Sequence, residues 1–165
     1  MGEKIYGLLG RKLGHSWSVP IHKALGRDSY RLIELEPEEL GPFLAQDNIG
    51  GLNVTIPYKQ DVMPYCDVID PAARDIGSVN TLVRREDGRL YGYNTDIHGF
   101  LYMARRAKID FAGKKVMVLG SGGASLTVQA ATRSAGAREV VVISRTGQNN
   151  YGNLERHDDA EILVN

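Results

Sequence analysis

The apolar run 116–119 leads without a break into Gly120-Ser121-Gly122-Gly123-Ala124-Ser125. A second apolar run, 140–143, follows after a stretch of helical character. Nothing else in the chain constrains its fold so tightly. Two buried strands joined through a helix are expected to pair in parallel, because parallel strands need a crossover rather than a hairpin. The glycines add a second constraint. Gly120 permits a tight turn, Gly122 leaves the backbone bare for a pyrophosphate, and the small Ser125 allows close packing of helix on strand. A phosphate at that turn would meet the unpaired N–H groups of a helix N-terminus. No lysine follows the glycines, so this is not the phosphate loop of a nucleoside triphosphatase.

The end of the second strand discriminates between cofactors. NAD enzymes carry an acid there for the ribose 2′-hydroxyl. This chain has Ser144-Arg145-Thr146 instead. A carboxylate would repel a 2′-phosphate, whereas a guanidinium binds it through a fork of N–H donors. The expected cofactor is therefore NADP.

Strand character recurs at 5–9, 30–35 and 51–56. Glu86-Asp87-Gly88, between the runs 79–84 and 89–93, reads as a hairpin turn. Helices are expected from a Ser18 cap, with Pro20 near the first position, to Leu25. Others are expected from Pro37 to about Ala45, over 58–65, over 95–108 and over 125–134. Ile97, Phe100, Leu101, Ala104 and Ala107 carry the helical spacing of the fourth. Further strands are expected at 115–119, 139–143 and 161–164, with 148–159 a polar loop holding room for a short helix. The alternation predicts an α/β fold. A three-layer α/β substrate domain with a mostly parallel sheet would span 1–110. The first part of a Rossmann-type NADP-binding domain would span 111–165, with the polar stretch 108–114 as the boundary.

Composition excludes several classes. Twenty Lys+Arg balance twenty Asp+Glu, which argues against broad binding to nucleic acid or anionic membranes. No apolar run approaches the roughly 18 residues of a membrane span, and the N-terminus has no signal-like apolar region. A cytoplasmic protein is expected. Cys66 is the one cysteine, so neither an internal disulfide nor a multi-cysteine zinc site can form. His15, His22, His98 and His157 show no metal-ligand spacing, and no metal is expected. Nineteen of 165 residues are glycine, above the usual share of about 7%.

The first domain offers chemistry in four places. Ser16 and Ser18, two residues apart on a loop, can both donate to one carboxylate. Asn53-Val54-Thr55-Ile56-Pro57-Tyr58-Lys59 delivers a hydroxyl and an ammonium just past a strand, where open α/β sheets place their ligand sites. Gly77-Ser78-Val79-Asn80-Thr81 adds a polar side chain at another strand. Gly92-Tyr93-Asn94-Thr95-Asp96 puts an acid in a helix's first turn. Each has a plainer reading when taken alone: Ser18 as a cap, Asp96 as a first-turn acid beside the helix dipole, Lys59 as a surface lysine. Cys66 reads as an inert, partly buried thiol.

Together the segments resemble the shikimate dehydrogenase family over essentially the whole chain. The resemblance rests on 14–22, 53–59, 77–82, 93–100, the glycine loop 120–125 and Ser144-Arg145-Thr146. It implies NADP-dependent interconversion of 3-dehydroshikimate and shikimate in aromatic amino-acid biosynthesis. By motif, Ser16 and Ser18 would hold the substrate carboxylate, Thr55 and Asn80 the ring hydroxyls, and Lys59 with Asp96 would form the catalytic pair. Gly120, Ser121, Gly122, Gly123 and Ala124 would cradle the pyrophosphate, while Ser144, Arg145 and Thr146 would meet the adenosine side. Three departures stand out. Ser144 replaces a usual asparagine. Gln148-Asn149-Asn150 stands where a second basic residue often lies, leaving selectivity to Arg145. Family members also run further, so the second domain is expected to be partial, and whether the 165-residue chain by itself is active stays open. Two alternatives stay open: a non-catalytic shikimate-binding module, and a quinate/shikimate dehydrogenase using NAD. A small-molecule partner is expected, and a homodimer is among the assemblies the sequence allows.

Overall fold

The computed structural model describes residues 3–14 and 16–165; His15 lies outside them. Packing divides the chain into two compact units, one ending at Asn94 and one running Thr95–Asn165.

The first unit contains β1 (Ile5–Gly10), α1 (Ser18–Ala24), β2 (Arg31–Glu34), α2 (Leu40–Leu44), β3 (Ile49–Val54), β4 (Val68–Ile69), α3 (Pro71–Ile76), β5 (Thr81–Arg84) and β6 (Leu90–Tyr93). Its six strands run in the order β2-β1-β3-β5-β6-β4. β1 is parallel to β2 and β3, and β4 is parallel to β6. β5 runs antiparallel to β3 and β6. The sheet is thus mostly parallel with one hairpin, whose turn uses Gly88 at φ 77°.

Strand alternation builds three layers. Leu9 enters a core with Ile33, Leu52, Val54 and Leu82, closed by Leu40 and Leu44 of α2 and Ala73 of α3. Its neighbour Leu8 enters a second cluster with Leu13, Tyr30 and Val19 of α1. Helices therefore cover both faces, as expected of this architecture.

Three details differ from the sequence reading. Ser18 is the first residue of α1 rather than its cap: Trp17 occupies the cap position, with no side-chain cap bond. Residues 58–65 form turns and a short 3-10 turn, Met63–Tyr65, not a continuous helix. Tyr58 is buried there, and its hydroxyl donates to the Leu35 carbonyl at 2.6 Å. A long-range anchor has overridden local propensity. The third difference is α3 itself, which the hydrophobic pattern does not announce. It is specified by its ends: Asp70 accepts from Ala72 N–H at 3.0 Å, Pro71 opens it, and Gly77 closes it at φ 71°.

The second unit contains α4 (Asp96–Arg106), β7 (Lys115–Leu119), α5 (Gly123–Ser134), β8 (Glu139–Ile143) and β9 (Ile162–Val164). Its strands run β8-β7-β9, all parallel. A 3-10 turn at Leu154–His157 lies in the stretch read as a polar loop. Packing divides the chain after Asn94 rather than in the stretch 108–114, because Ala104 and Phe100 of α4 join Phe111, Val116 and Val118 in one cluster.

Lys115 is 5% exposed although it opens a strand. Its Nζ lies 2.6 Å from Asp159 and 3.5 Å from Glu139. The bond from Lys115 holds the Asp159 carboxyl below its ordinary 3.8, and Lys114 does the same for Glu161 below 4.5. A carboxylate with a depressed folded-state pKa adds stability that is complete above the unfolded value and lost as pH falls through the folded one. Lys115, raised above 10.5 chiefly by its bond to Asp159, works the other way and loses its contribution only in strong alkali. Stability should therefore fall on acidification below about pH 4. Asp159→Asn should show a smaller drop in denaturation midpoint between pH 7 and pH 3 than the unmodified chain. Equal drops would remove Asp159 from the acid response.

Candidate active site

β3 ends at Val54, and its period-two alternation places Asn53 and Thr55 toward the same face as Leu8. The loop after β1 returns Ser16 to that face. Thr55 N–H donates to the Leu9 carbonyl at 2.9 Å, fixing the two chain ends side by side. Between them opens a cleft of about 560 Å³ whose lining includes Ser16, Thr55, Leu8, Leu13 and Lys12. Two of the six residues read from sequence as substrate and catalytic groups thus share one concavity. Lys12 was not among them. It carries a positive charge into the same cleft, and only the fold of the loop reveals that.

Ser16 Oγ donates to Ser18 Oγ at 3.1 Å and accepts from Ser18 N–H at 3.2 Å. The two hydroxyls are therefore held together, as binding one anion requires. Residues 77–81 are sewn to the same strand end. Val54 N–H donates to the Asn80 carbonyl at 2.7 Å, and Val79 N–H donates to the Lys59 carbonyl at 2.8 Å. Asn80 is 6% exposed, and its Oδ1 accepts from Thr81 Oγ1 at 3.0 Å. Asn94, also buried, donates from Nδ2 to the Ser78 carbonyl at 2.9 Å. These bonds fix the backbones that carry Thr55, Lys59 and Asn80. Lys59 itself is half-buried.

Ser78 is fully buried, and among the described residues its Oγ has no hydrogen-bond partner. A buried unpaired hydroxyl costs stability. Ser78→Ala should therefore stabilise the chain by about 1 kcal/mol, read as a higher denaturation midpoint. A lower midpoint would show that the hydroxyl is satisfied.

Asp96 is the first residue of α4 and half-buried, two residues after Asn94. It belongs to the second unit. The nucleotide elements lie in that unit too. Gly120 adopts φ 108°, a left-handed conformation that favours glycine. Its N–H donates to the Ile143 carbonyl at 2.8 Å, joining the glycine turn to the end of β8. Side chains added at Gly120 or Gly122 would meet no atom within 4 Å, so open space adjoins the bare backbone. Gly122 caps α5 without a side-chain bond, and Gly123 and Ala124 begin the helix. Ser125 is 7% exposed, as close helix–strand packing demands. Arg145 and Thr146 stand exposed just past β8, and Ser144 N–H donates to Asn149 at 3.1 Å. An open glycine turn, a helix N-terminus with no side-chain cap and a guanidinium at the neighbouring strand end fit a phosphorylated dinucleotide.

Burial pushes the Cys66 thiol up to about 11, and Sγ donates to the Val62 carbonyl. That is an inert thiol. No group of three or more His, Cys, Asp or Glu among the described residues could hold a metal ion. None of the helices described is long and apolar enough to cross a membrane.

Residues 8–82 match the family model described as the shikimate dehydrogenase substrate binding domain. The chain is 43% identical over 150 residues to the shikimate dehydrogenase (NADP(+)) of Clostridium beijerinckii, covering 86% of this chain and 55% of the relative. It is 36% identical over 183 residues to the enzyme of that name from Clostridium perfringens strain SM101, covering 98% and 67%. The crystal structure of shikimate dehydrogenase 1 from Peptoclostridium difficile superposes with a TM-score of 0.87 at 37% identity, over 97% of this chain and 65% of that one. The shikimate 5-dehydrogenase of Thermus thermophilus, in complex with NADP(H) and shikimate, gives 0.73 at 35% identity, over 92% and 60%. The chain thus spans between about half and two thirds of these relatives' lengths.

Proposed function

The chain belongs to the shikimate dehydrogenase family, and from that premise we propose that the whole protein interconverts 3-dehydroshikimate and shikimate with NADP. The observation that carries this reading is the joined Ser16–Ser18 hydroxyl pair beside the cleft shared with Thr55. A carboxylate accepts from both hydroxyls, and Lys12 adds favourable charge. Thr55 and Asn80 take the ring hydroxyls. In functional terms residues 1–110 form the substrate domain and 111–165 part of the dinucleotide domain, in a cytoplasmic protein.

When bound, NADP supplies or accepts a hydride at the nicotinamide ring. The chain's own residues handle the proton. In reduction, Lys59 as an ammonium donates to the carbonyl oxygen and stabilises the negative charge that develops there. In oxidation it takes the proton back. Asp96 orients Lys59 and a substrate hydroxyl. Gly120, Ser121, Gly122, Gly123 and Ala124 receive the pyrophosphate. Arg145 and Thr146 receive the 2′-phosphate, with Ser144 beside the adenosine.

A second reading has its own support. β9 is an edge strand of a three-stranded sheet, and Leu163 on it is 59% exposed. The 165-residue chain by itself would then bind shikimate without turnover. Calorimetry of the chain with shikimate and with NADP separately, beside turnover by the whole protein, tests both readings. Absence of shikimate binding up to millimolar concentrations would sink the substrate assignment. Binding by the chain, with no turnover in the whole protein, would favour the module.

A further inference from the structure

We propose that Glu34 is a positioning residue for the substrate carboxylate: its side chain fixes the loop that carries Ser16 and so presets the Ser16–Ser18 pair. The inference rests on the function proposed above. Glu34 ends β2 and pairs in parallel register with Gly10, the last residue of β1. Leu32 pairs with Leu8 in the same ladder, so alternation turns Glu34 toward the sheet face that carries Leu8 and Thr55. The chain leaving β1 folds back over that face. A Cβ at Gly10 would press on Leu13 at 2.6 Å and on Thr55 at 2.9 Å, so the bare glycine gives the loop room to settle.

An unbroken series of hydrogen bonds then runs from β2 to the hydroxyl pair. Leu13 N–H donates to Glu34 Oε1 at 2.5 Å. The Leu13 carbonyl accepts from Ser16 N–H at 2.9 Å. Ser16 Oγ in turn donates to Ser18 Oγ and accepts from Ser18 N–H. Leu13 is 4% exposed, and it packs with Leu8 and Tyr30 while lining the cleft. A second acid reaches the same loop, since Arg11 donates from Nε to Glu36 Oε2 at 2.8 Å. Both side chains of that pair are half exposed, and exposed pairs add little. The bond to Glu34 is part-buried, and an ionised acceptor binds an N–H more strongly than a neutral one.

Charge alone argues against an acid here. Glu34 holds the loop of an anion pocket, and its own charge repels the substrate carboxylate. Its placement is explained by geometry instead. A loop fixed before the anion arrives loses no affinity to being ordered on binding. The two effects have opposite signs: removing a repulsive charge tightens binding, and removing a brace weakens it. No motif in the sequence announces the contact, because Glu34 stands 21 residues from Leu13.

The test compares Glu34→Ala with Glu34→Gln in the 165-residue chain. Glutamine removes the charge but keeps an acceptor oxygen at the same reach. Glu34→Ala should bind shikimate roughly tenfold more weakly by calorimetry, the effect of one hydrogen bond to a charged group, and Glu34→Gln should stay within about threefold of the unmodified chain. With no ligand present, amide exchange at Leu13 and Ser16 should quicken about tenfold in Glu34→Ala and much less in Glu34→Gln. In a Ser16→Ala background, Glu34→Ala should cost less than about twofold in affinity, because its route to the ligand is gone. Unchanged or tighter shikimate binding by Glu34→Ala, equal losses in the two variants, additive losses with Ser16→Ala, or equal exchange in all three proteins would overturn the inference. An unmodified chain that binds no shikimate overturns the functional reading, while the exchange rates still decide whether Glu34 braces the loop.

Discussion

Replacing Lys59 by alanine in the whole protein is expected to lower kcat about 10²-fold or more, with a smaller change in KM. The split follows from the proposed role. A group that gives its proton only as the carbonyl oxygen gains electron density acts in the transition state, and its loss falls on kcat. A lysine that merely attracted the substrate anion would show the reverse, a raised KM with kcat kept. The backbone at Lys59 is not expected to move in the variant. Its carbonyl accepts from Val79 N–H whatever the side chain, and the buried Tyr58 before it is anchored to Leu35. Steady-state kinetics in both directions, with an unfolding curve for each protein, separate the cases. A variant with near-normal kcat removes Lys59 from the chemistry.

What the sequence reveals here depends on how local each determinant is. β8 spans the residues expected for it, and the hairpin follows from Glu86-Asp87-Gly88, because strand pattern and turn chemistry are written within a few consecutive residues. α4 matches its spacing for the same reason. The extent of α1 is nearly right, but the role given to Ser18 within it is not. The serine has a good cap's chemistry, yet its hydroxyl is drawn to Ser16 instead. Residues 58–65 carry a pattern that helix would tolerate, and the bond from Tyr58 to Leu35, 23 positions away, holds them as turns. The capping signals of α3 are present at Asp70, Pro71 and Gly77, but the helix is short and its apolar stripe weak. In the candidate site, Ser16 and Thr55 are legible as motif residues. Lys12 is not, since only tertiary folding brings it alongside Ser16.

Arg145→Ala is expected to weaken NADP binding by roughly 10²-fold, as loss of a charge-assisted fork to a phosphate implies, and to leave NAD binding nearly unchanged. The argument begins with the turn that presents the arginine. Asn150 Nδ2 donates to the Gly147 carbonyl at 3.1 Å, and Asn150 N–H donates to Asn153 Oδ1 at 2.8 Å. Asn153 Nδ2 returns a bond to the Gln148 carbonyl at 2.9 Å. Asn150, which stands in the stretch where a second basic residue often lies, and Asn153 thus staple the turn, and the side-chain amides of these two are committed to backbone. Gly147 lies so close to Ser144 Oγ that a side chain there would collide with it, which keeps the bend tight. The next cation along the chain is Arg156, eleven residues on. Within this turn Arg145 is therefore the single guanidinium that could meet a 2′-phosphate, and on the proposed assignment discrimination between the two cofactors has no second charge to fall back on. Affinities for NADP and NAD, measured in parallel on the whole protein and its variant, decide the matter. A ratio of the two that survives the substitution would mean that selectivity comes from somewhere other than the end of β8.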